Sequence, residues 1–151
     1  MASVIGHIGP MALHLLKLCV GATSAEDLAA HIDHRLAISG SPAYWHVTRM
    51  VPKRGEELAA GGSLYWIIRG SVQARQSILG IEPFTDEEGI GRCKILLDRT
   101  LVLTRHQPKR PFQGWRYLKA EDAPADLREF GEAGDGLPPE LATALQELGV
   151  I

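Results

Sequence analysis

The residues with the clearest chemical potential are cations interspersed with flat rings. Arg49, Lys53, Arg54, Arg69, Arg75, Lys109, Arg110 and Arg116 share the middle of the chain with Tyr65, Trp66, Trp115 and Tyr117, and Gln73 lies among them. Cations suit phosphates, and rings or guanidinium planes suit unpaired bases, the combination that single-stranded nucleic acid demands. Tyr65, Arg69, Gln73, Arg75, Trp115 and Arg116 form the expected base-reading face. Arg49, Lys53 and Arg54 are the expected phosphate contacts. The competing reading places Trp45, Trp66 and Trp115 in the core and leaves the arginines as ordinary surface.

Other chemistries find less support. His31 and His34 stand three apart on a helical stretch and could share a metal. The apolar stripe Leu28–Ile32–Leu36 turns both toward solvent, however, and no third ligand is evident. No nucleophile elbow, P-loop, dinucleotide fingerprint or H-E-x-x-H occurs. Gly89-Ile90-Gly91 sits in a hairpin pattern without the strand–turn–helix setting of a phosphate cradle. Glu87-Glu88 lies in a turn and reads as solvated. Cys19 and Cys93 are far apart, each within an apolar run, and read as free core thiols. An enzyme therefore has no evident nucleophile or base, and no cofactor is expected.

The net charge of -2 hides an asymmetry. Residues 43–119 hold 13 Lys/Arg against 7 Asp/Glu, a balance of +6, whereas residues 120–151 hold 1 against 8, a balance of −7. A basic body with an acidic tail suits an anionic partner or screening of the body by its own tail. No apolar run approaches the roughly 20 residues of a membrane span. The first ten residues lack the basic and apolar regions of a signal peptide, and the cytoplasm is the expected compartment.

These side chains need a scaffold. Leu13–Val20 is short and apolar and reads as a strand. Thr23-Ser24-Ala25-Glu26 matches a capping box. Ala25, Leu28, Ala29, Ile32 and Leu36 then share one helical stripe that ends by Gly40. Tyr44–Val51 reads as a strand and Glu56–Ala60 as a short helix stopped by Gly61-Gly62. The densest apolar run, 61–70, is the expected central strand. Leu64, Trp66 and Ile68 point one way; Tyr65, Ile67 and Arg69 point the other. Ser71–Leu79 fits a strand or a short helix, and its flanks favour the strand. Ile78–Phe84 and Ile90–Leu97 should form a hairpin across the turn at 85–89. Leu101–Thr104 and Phe112–Leu118 read as further strands around a basic loop, Gln107–Pro111. A terminal helix is expected from Pro138, striped by Leu141, Leu145 and Leu148 and ended by Gly149.

Several of these stretches carry a likeness. Met11–Leu18, His46–Arg54, Gly62–Trp66, Gln73–Gln76 and Arg110–Leu118 resemble an alphaproteobacterial family known only as a domain of unknown function. The resemblance runs from Met11 through nearly the whole chain and implies no activity. The element order more loosely resembles PUA-like domains of the EVE and ASCH groups. That likeness implies a small β-barrel associated with RNA or modified bases.

Together these readings predict a loose extension over 1–10, one α+β domain over 11–119, and an acidic segment over 120–151 ending in a helix. The domain is expected to be a small, mostly antiparallel curved sheet or PUA-like β-barrel with flanking helices. The expected function is an RNA- or nucleotide-binding module whose partner is RNA or a modified nucleotide, with no membrane partner. The alternatives are a small enzyme acting on a nucleotide-like substrate and a protein-interaction module.

Overall fold

The computed structural model describes residues 12–130. The expected extension over 1–10, the loop at 131–136 and the terminal helix lie outside the described residues. Eight strands and two helices follow in order: β1 (Leu13–Leu18), α1 (Ala25–Ser39), β2 (Tyr44–Thr48), α2 (Gly55–Ala59), β3 (Ser63–Ile68), β4 (Ser71–Thr85), β5 (Gly91–Leu97), β6 (Val102–Pro108), β7 (Trp115–Lys119) and β8 (Asp126–Glu129). The fold is α+β, and the only parallel pairing among these strands is β1 with β3.

The strands lie in the order β2-β5-β4-β3-β1-β7, with β6 on β4 and β8 on β6. The sheet is open, so the chain adopts the curved-sheet form of the two expected architectures and not a closed barrel. β4 creates the curvature. Its first half pairs with β3 and β6, and its second half pairs with β5. Register shifts at Trp66/Ile67, Val72/Ala74 and Ile78/Gly80 break these ladders. Such bulges strengthen the local twist and bend a strand.

β3 is the central strand that its composition predicts, and all six of its residues are buried. Leu64, Trp66 and Ile68 enter the main core with the α1 stripe, Leu58 of α2, and Cys93, Ile95 and Leu97 of β5. Tyr65 and Ile67 enter a smaller cluster on the opposite face with Leu16, Val72 and Leu118. A strand covered on both faces explains the run of apolar residues without polar alternation.

α1 buries the five residues of its predicted stripe. Its cap is displaced by one residue from the predicted box. Ser24 is the N-cap and accepts from the Asp27 amide at 3.0 Å. Asp27, not Glu26, reaches back to accept from the Thr23 amide and hydroxyl. None of the helices among the described residues is long and apolar enough to cross a membrane.

The boundary expected at 119/120 is not where the sheet ends. Residues 120–122 form a single 3-10 turn, and β8 pairs antiparallel with β6. The first part of the acidic segment is thus built into the domain.

Candidate functional site

The register of β3 against β4 places Tyr65 opposite Arg75. Neither reaches solvent, for they are 1% and 0% exposed. This corrects their expected place on a binding face. Asp126 of β8 receives Arg75 Nε and Nη2 at 2.7 Å each, and Ser63 Oγ receives Nη1 at 2.9 Å. A buried guanidinium needs such a partner to offset its desolvation. The partner lies in the segment that composition marks as an appendage, so the pairing was not visible in the local sequence. Tyr65 packs edge-on against His14, with ring centroids 5.0 Å apart. His14 is also fully buried and accepts from the Ser63 amide at 2.9 Å through Nδ1. Burial, then the charge of Arg75, lowers its pKa to about 4.

Gln73 is the extra residue of a bulge, half-buried, and its amide donates to the Ile68 carbonyl at 2.8 Å. Its role is to hold the β3–β4 hairpin.

The remaining predicted residues do gather, at one end of the sheet. Leu18 lies beside Ile67 and Lys17 beside Trp115, so the ends of β1 and β3 meet the start of β7. The Lys109 amide donates to the Gly70 carbonyl at 2.9 Å, which brings the end of β6 to the same edge. The loop after β2 is fastened there too. Trp115 Nε1 donates to the Met50 carbonyl at 2.9 Å, and the Arg54 amide donates to the Tyr117 hydroxyl at 3.2 Å. Three segments therefore converge: 49–54 with three cations, 69–70 with one, and 109–116 with three, seven in all and no Asp or Glu.

The convergence is an end rather than a single face. Trp115 and Tyr117 turn to one side of β7 and pack against each other, with centroids 4.9 Å apart. Arg116 turns to the other side, its guanidinium 4.9 Å from the Phe112 ring centroid. Arg49, Lys53, Arg54, Arg69 and Arg116 are exposed, whereas Trp115 is half-buried. Arg54 is partly neutralised by Glu57, 2.6 Å away on the first turn of α2. A groove of about 510 Å³ beside it is walled by residues 51–57, Ala59, Ile81 and Pro83. Glu56 and Glu57 balance its two cations, Lys53 and Arg54, so the excess positive charge of the sheet end lies with Arg49, Arg69, Lys109, Arg110 and Arg116.

A smaller and more enclosed cavity, of about 160 Å³, opens where β1 leads into α1. Cys19, Leu28, His31, Arg35, Tyr44, His46 and Trp66 wall it, with the turn Val20–Ala22 at its mouth. Burial and then the charges of Lys17 and Arg35 lower His46 to about 4, and burial raises the Cys19 thiol to about 11. Sequence reading missed this site because its walls come from the turn after β1 and from α1, β2 and β3, with no local spacing to connect them.

The family model described as a protein of unknown function, DUF1489, matches residues 15–151. The chain belongs to this family. The match spans β1 to the end of the chain and so covers the basic end, the groove and the cavity alike. A search of curated proteins and a search of solved structures each found no match.

Proposed function

We propose that this DUF1489 protein is an RNA- or nucleotide-binding module that binds through the basic end of its open sheet. The observation that carries the reading is the convergence of seven cations on three joined segments that themselves hold no Asp or Glu, with Glu57 of α2 paired to Arg54 beside them. Phe112, Trp115 and Tyr117 lie among them. In this reading Arg49, Lys53 and Arg54 meet phosphates, while Arg69 and the Arg116–Phe112 stack meet bases. Trp115, whose indole N–H is committed to Met50, braces the loop. The conformation of Arg69 adds support, because it sits at φ 51 in a two-residue hairpin turn where Asn or Gly would be less strained. Backbone strain of this kind concentrates at functional sites. Cys19, held protonated by burial, gives an enzyme reading no thiolate nucleophile.

Fluorescence anisotropy with single-stranded RNA, duplex RNA and DNA at two salt concentrations tests the reading. Single-stranded RNA should bind best, and log affinity should fall with log salt by about 0.7 per phosphate contact. Arg69→Ala/Arg116→Ala should weaken binding and change sequence preference, whereas Lys53→Ala should weaken all sequences alike. Absence of binding at low salt, or indifference to the double substitution, would remove the proposal.

A further inference from the structure

The cavity between β1, α1 and β2 has a composition that the RNA reading does not use. No Asp or Glu lines it among the described residues. Arg35 lies across it with its guanidinium 4.8 Å from the Tyr44 ring centroid and 5.1 Å from that of Trp45. Nη1 donates to the Trp45 carbonyl at 2.6 Å. The rest of the guanidinium fork retains the planar donor geometry that matches a carboxylate. His46 Nε2 is buried and has no hydrogen-bonding partner among the described residues. Its ring is held edge-on to Trp66, centroids 5.3 Å apart. Lys17 of β1 precedes Cys19, just past the strand, by two residues, and its charge acts on both Cys19 and His46.

We propose that this cavity binds a small planar carboxylate about the size of one six-membered ring. The volume of about 160 Å³ is close to that of apolar cavities, ~150 Å³, that take benzene. Trp66, Tyr44 and Leu28 offer the ring apolar walls, which a bare phosphate could not use. Arg35 supplies the charge and the fork, Lys17 adds a second positive charge nearby, and neutral His46 contributes a hydrogen bond. The proposal does not rest on RNA binding. It would stand if that failed and could fail while that stood.

Three probes separate the terms: benzoate, its neutral isostere benzamide, and inorganic phosphate. Each is titrated into the full-length protein while the indole N–H resonance of Trp66, assigned with Trp66→Phe, is followed by NMR. Benzoate should shift this signal saturably and bind at least about tenfold more tightly than benzamide, the scale of one charge-assisted hydrogen bond. Phosphate should leave the signal unmoved. Benzoate should also slow alkylation of Cys19 by a neutral reagent in the wild-type protein, a readout that needs no variant. Arg35→Met should abolish the preference for benzoate over benzamide, and His46→Gln should weaken both. Equal affinity for benzoate and benzamide would overturn the proposal. So would saturable phosphate binding at the same signal, or no effect of benzoate on Trp66 and Cys19.

Discussion

Arg75 carries the sharpest stability prediction at the scale of single residues. Its side chain is 0% exposed and that of Asp126 is 12% exposed, and they share a bidentate ion pair. Asp126→Ala would strand a buried cation and should cost about 3–5 kcal/mol in urea unfolding. Arg75→Met/Asp126→Leu should recover most of that loss, since an apolar replacement removes both desolvated charges. A single variant as stable as wild type would show that the pair is open to water. Trp66→Ala should also cost about 3–5 kcal/mol, from the cavity left in the main core and the loss of its 2.9 Å bond to Gln76. A melting curve like that of wild type would mean the ring is exposed and the β3 register inverted.

His14 makes stability depend on pH at the same scale. Its folded pKa is depressed to about 4, from 6.5. Between these values the unfolded chain takes up a proton that the folded chain refuses, so stability is full above pH 6.5 and falls as the pH drops toward 4. The contribution is on the order of 3 kcal/mol over that window. Asp27 and Asp86, held below the usual carboxylate range by hydrogen bonds from Thr23 and Arg92, lose their contributions at lower pH. His14→Asn should therefore flatten the decline between pH 7 and pH 5. An unchanged slope would assign the proton to another group, of which His46 is the first candidate.

The β3–β4 hairpin and the α2–β3 junction decide the matter at the scale of elements. Arg69 and Gly70 form the hairpin turn with φ of 51 and 83, the signs of a type I′ turn. Arg69→Asn should relieve strain and stabilise the protein by about 1 kcal/mol, while weakening RNA in the anisotropy assay. A gain in melting temperature with no loss of binding would separate the strained conformation from function. Gly62 is constrained differently. Its amide donates to Leu58 at 2.9 Å and its carbonyl accepts from Ile78 at 2.9 Å. A Cβ there would overlap the carbonyl oxygens of Leu13 and Leu58, both backbone atoms that cannot swing aside. Gly62→Ala should consequently destabilise the domain by several kcal/mol, and near-native stability in thermal melts would mean that the junction can open.

At the scale of the whole molecule, the first part of the acidic segment, through β8, is part of the sheet. β8 covers β6, the Phe130 amide donates to the Leu101 carbonyl at 2.8 Å, and Asp126 neutralises Arg75. Truncation after Lys119 should leave the chain unfolded or molten, read as loss of the near-ultraviolet circular dichroism signal. A native-like spectrum would mean that the body folds without its last strand. Simple removal of the tail is for the same reason a poor test of charge screening, because it removes a structural partner along with the charge.

Local sequence was enough for the elements whose neighbours in the chain decide them. The α1 stripe, the apolar run of β3 and the β4–β5 hairpin each follow from side-chain period and turn chemistry, and each is found. The same evidence showed that cations and rings are concentrated in the middle of the chain. It could not show which would face water, since that depends on contacts between residues far apart in sequence. Arg75 and Arg69 are six positions apart in one hairpin; one is buried because β8 returns 51 residues later with a carboxylate, and the other stands at a turn. The cavity of Arg35 and His46 was equally out of reach, because α1, β2, β3 and the turn after β1 must pack before its walls meet. Periodicity records which side of an element a residue takes. Only the tertiary structure decides what covers that side, because burial and charge pairing are set by chain return rather than by spacing.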